Sequence, residues 1–199
     1  MEHPPPPAAP GARWHRKRRY HHGNLGPSAL ARGRQIVTLH GPAALTLRGL
    51  ARDLGVTATS LVRLYGNLAG MRAAVAESVL DKLRAEAGVA PRRPLRVNDV
   101  AGRWVDFAAT HANLYRLLCG EGWHLPGPGR GFHGMLALPS PRRSLEDAIL
   151  QRTRRPGNGA GDREQARYLG SVIHGLALAR IDGVEGASVN AALARALRS

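Results

Sequence analysis

The stretch LTLRGLARDLGVTATSLVRLY, Leu45 to Tyr65, decides the fold. It holds two short amphipathic runs separated by a glycine. Thr46 is a good N-cap for a helix carrying Leu47, Leu50, Ala51 and Leu54 at i, i+3, i+4 and i+7. Gly55 accepts positive φ and ends that helix. Val56 follows, and Thr57 caps a second helix with Leu61 and Leu64 predicted inward. Two short helices that cross steeply make three demands. The inward residue at the crossing must be small, which Ala51 is. The turn needs a residue that tolerates a left-handed backbone, which is Gly55. Apolar side chains must pin both helices to the rest, and Leu50, Leu54, Val56, Leu61 and Leu64 stand where they are needed. Together these are the demands of a helix-turn-helix, whose second helix enters the DNA major groove. A plain helical hairpin is the competing reading.

Charge points the same way. The 199 residues carry 29 Lys+Arg against 14 Asp+Glu, a formal charge of +15, which favours a polyanionic partner. The excess is uneven. Residues 1–72 hold 11 basic side chains against two acids, Glu2 and Asp53, a net +9, whereas residues 73–199 hold 18 against 12. A general arginine bias is the alternative. With 43% apolar residues the chain can bury a core. A single cysteine, Cys119, allows no intrachain disulfide and fits a reducing cytoplasm, with a buried structural thiol as the expectation. The N-terminus has no apolar run of the signal-peptide kind, and no stretch approaches the roughly 18 apolar residues of a membrane span.

The remainder reads as helix punctuated by Gly and Pro, and no segment alternates with period two, so the fold class is all-α. Residues 1–19, with four consecutive prolines and the basic RWHRKRR (Arg13–Arg19), are expected to be a disordered arm. A helix from about Pro27 carries Ala29, Leu30, Gly33, Ile36, Val37 and His40 on one face, and Gly41-Pro42 ends it. Gly33 in its interior predicts a second helix passing close. Another helix spans about Leu68 to Ala87, with Leu68, Met71, Val75, Val79 and Leu83 on one side. GVAPRRP (Gly88–Pro94) breaks the chain, giving domains at 20–87 and 95–199. Beyond it, Asn98 or Asp99 begins a helix with Val100, Trp104, Phe107, Ala108 and His111 on one face, which runs on or kinks into Leu114, Tyr115 and Leu118. GEGWHLPGPGRGFHG (Gly120–Gly134) and RPGNGAGD (Arg155–Asp162) read as loops. Ser144 with Asp147 resembles a capping box. A long helix follows with Ala166, Leu169, Ile173, Leu176, Ala177 and Ile181, and Ser188 is predicted to cap a last one with Val189, Ala192, Leu193, Ala196 and Leu197.

RRYHHGNL (Arg18–Leu25), the span His40–Gly66 and LAGMRAAV (Leu68–Val75) resemble the DNA-binding domain of the tetracycline-repressor (TetR) family over roughly residues 20–84. WVDFAATHANLYRLL (Trp104–Leu118) and SVIHGLALARIDG (Ser171–Gly183) resemble a TetR-type ligand domain named for a Trp-His-Gly motif. His174-Gly175 match that motif, and Gly170 stands at its Trp position. The resemblance implies a three-helix helix-turn-helix domain followed by a helical effector-binding and dimerisation domain. It implies a homodimeric transcriptional regulator, usually a repressor, that binds a double-stranded DNA operator, with a small-molecule effector in the C-terminal domain shifting the separation of the two recognition helices. By position, Thr46 and Arg48 stand where the family touches phosphate. Thr57, Ala58, Thr59 and Ser60 open the recognition helix, Arg63 is the candidate guanine reader, and Tyr65 closes the DNA-facing set. Trp104, Phe107, Tyr115 and His174 are the candidate effector-pocket residues. Dimerisation is expected through helices at about 163–182 and 188–198, with Leu176, Ile181 and Leu193 on the surface. The chain departs from the family at Val62, Leu64 and Leu68, where polar phosphate contacts are usual.

Other signals point nowhere specific. His21-His22, and His124, His133 and His174 with Cys119, lack metal-ligand spacing, so no metal is expected. GPGRGFHG (Gly127–Gly134) lacks the strand-loop-helix context of a phosphate loop. No catalytic constellation supports an enzyme. The rival from another class is an architectural protein that binds nucleic acid by charge alone, which leaves a second helical domain of more than 100 residues unexplained.

Overall fold

A computed structural model describes residues 24–89, 95–120, 140–153 and 159–198. The expected arm, His21-His22, His124, His133 and GPGRGFHG lie outside the described residues. The regular structure of the described residues is helical, with no strand among them: α1 (Leu25–His40), α2 (Leu47–Leu54), α3 (Ala58–Tyr65), α4 (Leu68–Glu86), α5 (Val97–Thr110), α6 (Ala112–Leu118), α7 (Pro141–Thr153), α8 (Gly159–Ile181) and α9 (Gly186–Ala196). The fold is all-α, and among the described residues no helix is long and apolar enough to cross a membrane.

Helix α1 begins two residues before Pro27, which sits in its first turn. Its face turns inward through Ala29, Gly33, Ile36 and Val37, whereas His40 is exposed. Gly33 is where α4 passes. A Cβ there would lie 2.8 Å from Cγ2 of Val75 and 3.2 Å from Cε of Met71. One continuous apolar core joins α1–α4 to α5–α9 and is filled by Leu50, Leu61, Met71, Trp104, Tyr115 and Ile173, among others.

Among the described residues, side-chain hydrogen bonds tie the N-terminal helices to the rest. Asn113 at the start of α6 donates to the carbonyl of Thr38 at 3.1 Å. Arg84 of α4 donates to the hydroxyl of Ser144 at 2.8 Å. Arg152 in the last turn of α7 donates to the carbonyls of Gly88, Val89 and Leu95 at 2.9–3.0 Å, so its guanidinium holds both described ends of the Gly88–Pro94 break.

Several sequence expectations are corrected. Leu64 faces outward and is 52% exposed. The inward places of the eight-residue α3 fall to Ala58, Leu61 and Tyr65, one helical repeat apart. Ser144 lies inside α7, its hydroxyl engaged by Arg84 rather than capping. The cap is Ser140, which accepts from the Arg143 N–H at 3.2 Å ahead of Pro141 in the favoured first position. Helix α8 starts at Gly159, inside the stretch read as a loop. Helix α9 starts at Gly186, leaving Ser188 within its first turn. Leu193 is buried within the chain rather than on its surface, and Cys119 is exposed. Helices α5 and α6 part at His111, whose φ of −122° and ψ of 46° leave helical geometry.

Candidate nucleic-acid interface

Helices α2 and α3 are fixed at both ends by their own sequence. The Thr46 hydroxyl accepts from the Gly49 N–H at 3.1 Å. A Cβ at Gly49 would lie 2.9 Å from that hydroxyl, so glycine there preserves the cap. Gly55 ends α2 at φ 67° and ψ 28°, and the next N–H, that of Val56, returns to the Ala51 carbonyl at 3.0 Å. Ala51 is buried at the crossing. Thr57 opens α3 by accepting from the Ser60 N–H at 3.2 Å. Gly66 ends it at φ 76°, and Asn67 at once caps α4 by accepting from Gly70 at 2.9 Å.

This scaffold presents a cationic surface. Arg48, Arg52, Arg63, Thr46, Thr57 and Thr59 are exposed on α2, α3 and their caps. Between residues 24 and 76 the sequence has one acid, Asp53. Its carboxylate accepts from Arg32 of α1 at 2.7 and 2.9 Å, which secures α2 to α1 and neutralises the carboxylate locally. Four of the expected site residues are partly committed within the protein. The hydroxyls of Thr57 and Ser60 lie 2.9 Å apart. Tyr65 is half-buried, burial raises its pKa, and its hydroxyl donates to the Gly26 carbonyl at 3.1 Å. Ala58 is half-buried against the core.

Of the residues expected to line an effector pocket, Trp104 and Tyr115 are buried in the core and meet the half-buried His174. Trp104 Nε1–H donates to the Tyr115 hydroxyl at 3.2 Å, and that hydroxyl lies 2.7 Å from Nδ1 of His174. The arrangement that uses every hydrogen has the phenol donating to neutral His174. Burial first, and Arg142 second, push the His174 pKa down, and burial pushes Tyr115 up. Phe107 is buried separately and meets His111 edge-on, ring centroids 4.7 Å apart. A groove of about 460 Å³ opens elsewhere, on α8, lined by Gly161, Glu164, Gln165, Tyr168 and Leu169.

Two arrangements carried no sequence signal. Lys82 Nζ lies 3.0 Å from Nε2 of His111 and 3.4 Å from Glu86, where α4 meets the α5–α6 junction. The Lys82–Glu86 spacing is legible, but His111 is 29 residues away from Lys82. At Gly170 a Cβ would lie 2.6 Å from Cγ of Glu146 and 3.5–3.6 Å from the Glu146 backbone, so the glycine on α8 stands where α7 packs close against it.

No protein-family model matches the chain, and no curated protein matches it. Among solved structures it is similar to a protein of unknown function from Rhodococcus sp. RHA1. The identity is 27% over 90% of this chain and 95% of that one, with a TM-score of 0.59. The similarity supports the all-α fold.

Proposed function

We propose that the protein is a DNA-binding transcriptional regulator of the tetracycline-repressor type. In this proposal it is a repressor that binds its operator as a homodimer and responds to a small molecule held by the C-terminal helices. The observation that carries the proposal is the α2–α3 unit, two capped eight-residue helices joined at a left-handed glycine, with a cation-rich exposed face. Such a unit places the second helix in a major groove while the first crosses the backbone. Arg48 and Arg52 on α2 then neutralise phosphates, and Arg63 with Thr59 on α3 faces the bases. Arg63 suits the paired acceptors of guanine. The resemblance of Trp104–Leu118 and Ser171–Gly183 to a TetR-type ligand domain supports the effector and dimer parts of the proposal.

The second reading, binding without sequence preference, draws on Val62 and Leu64, exposed where polar side chains would add hydrogen bonds. Footprinting on the DNA upstream of the protein's own gene separates the two. The proposal expects a discrete protected palindrome, because a two-fold dimer reads two half-sites. Uniform weak protection assigns the architectural role.

A further inference from the structure

The start of α6 is where the C-terminal helices grip the N-terminal ones. His111 stands between α5 and α6, outside helical geometry. Its Nε2 lies 3.0 Å from Lys82 Nζ of α4. Two positions on, Asn113 donates to the Thr38 carbonyl of α1. An ammonium group can only donate, so Nε2 accepts, and the imidazole in this contact is neutral with its proton on Nδ1. Phe107 of α5 seats both partners. Its ring meets the imidazole edge-on, centroids 4.7 Å apart, and its centroid lies 5.7 Å from Lys82 Nζ. One acid faces the pair: Glu86, one turn beyond Lys82, lies 3.4 Å from Nζ and 3.8 Å from Nε2. Among the described residues, Lys82 and Glu86 of α4 are the charges that act on His111. From α5 and α6 it meets the uncharged Phe107 and lies beside Asn113.

A proton on Nε2 changes this contact in kind. Two donors then stand at hydrogen-bond distance, and two cations share one carboxylate. The Nε2–H turns to Glu86, and Lys82 must leave. Burial first, then Lys82, hold the His111 pKa below its ordinary 6.5, against the pull of Glu86. The proton is therefore taken up in mildly acid solution, and the Lys82 contact holds above that range.

We propose that the Lys82–His111 contact is an acid-sensitive latch between the N-terminal and the C-terminal helices. Its opening frees α4, which packs against α1 and α3, from the α5–α6 junction. The effect on DNA rests on the regulator proposal above. In a dimer, the two recognition helices keep the spacing of the half-sites only while each N-terminal unit is held to the C-terminal helices. Opening the latch therefore lowers affinity for the preferred sequence and spares random DNA, which imposes no spacing. The ties made by Arg84 and Arg152 contain no imidazole and persist, so the effect falls at the low end of ordinary coupling, about fivefold.

The full-length protein is titrated by NMR between about pH 7.5 and 5.5. The expected result is one midpoint, below 6.5, shared by the His111 ring and the backbone amides of residues 82–86 and 111–115. Lys82→Met should raise that midpoint and Glu86→Gln lower it. Both side chains are more than a third exposed, at 39% and 47%, so the variants keep the core. A His111 ring that titrates without those amides, or a midpoint indifferent to Lys82→Met, overturns the latch. In parallel, affinity is measured at both ends of the range for a sequence enriched from random duplex DNA and for random DNA. Other histidines that gain charge near DNA act on both duplexes, so the ratio of the two affinities removes them. The wild-type ratio should fall about fivefold on acidification. That of His111→Gln, whose amide oxygen accepts from Lys82 at either pH, should not. A constant wild-type ratio beside a moving junction overturns the effect on DNA. Failure to enrich any sequence overturns the regulator proposal and that effect with it, while the NMR titration still decides the latch.

Discussion

Tyr115 holds one hydroxyl between an indole N–H and an imidazole nitrogen, 11 and 59 residues away in sequence. Tyr115→Phe keeps the ring but leaves the buried Trp104 and the half-buried His174 without that partner. The expected loss in urea unfolding is about 1–3 kcal/mol, and an unchanged midpoint would show the network to be idle. His174 gives a pH dependence of definite sign. Its folded pKa is depressed, so the unfolded chain binds the proton more readily, and stability rises with pH across the window from the folded value to about 6.5. The contribution is intact above that window and disappears as pH falls through it. Melting temperature should therefore drop between pH 7 and 5 more steeply for the wild type than for His174→Asn; parallel curves would contradict this. Gly33 shows one effect winning over another. Alanine would gain up to about 1 kcal/mol in helix propensity, but its Cβ meets the branched, fully buried Val75 at 2.8 Å. Gly33→Ala should destabilise on balance, and a raised melting temperature would refute that.

At the scale of helices, much was legible where local chemistry decides. Thr46, Gly55 and Thr57 are each set by residues within four positions, and each cap forms as the spacing predicts. Sequence reading misplaces elements where a distant partner decides. Ser144 is drawn away from capping by Arg84, 60 residues off, and Ser140 with Pro141 starts α7 instead. An eight-residue helix offers two leucines and one tyrosine for its inward face, and periodicity alone leaves Leu64 and Tyr65 in competition. Tyr65 wins because its hydroxyl can reach the Gly26 carbonyl while its ring packs against the core. For the candidate interface, the charge and the exposed arginines were legible, but not the pairing of Thr57 with Ser60 or of Arg32 with Asp53. The α2–α3 crossing also yields a prediction. Ala51→Leu should overpack it at a cost of about 1–3 kcal/mol and weaken DNA binding, read by calorimetry and gel shift. No effect on either would count against the crossing.

At the scale of the molecule, the proposal requires two copies on one operator. Leu176 and Ile181 of α8 are half-buried against the chain's own core and Tyr168 and Val184 are exposed, leaving apolar area that a second copy would cover in the proposed dimer. Sedimentation equilibrium at micromolar concentration should give a dimer, and a monomer would rule out the two-fold operator. DNA affinity should divide between two sets of cations. In the proposal, Arg48 and the arm residues Arg13, Arg16, Lys17, Arg18 and Arg19 neutralise phosphates on any sequence, so deleting residues 1–19 should weaken specific and random DNA together. The deletion should also flatten the salt dependence by about one unit for each phosphate that the arm neutralises. Arg63 is assigned to a base. The direct measurement is a salt titration of wild type and Arg63→Ala on footprinted DNA and on random DNA. The account predicts that Arg63→Ala loses operator affinity by about 1–3 kcal/mol while its affinity for random DNA and its salt slope stay near those of the wild type. Equal losses on both DNAs, with a slope reduced by about one, would make Arg63 a phosphate-binding residue and contradict sequence reading by α3.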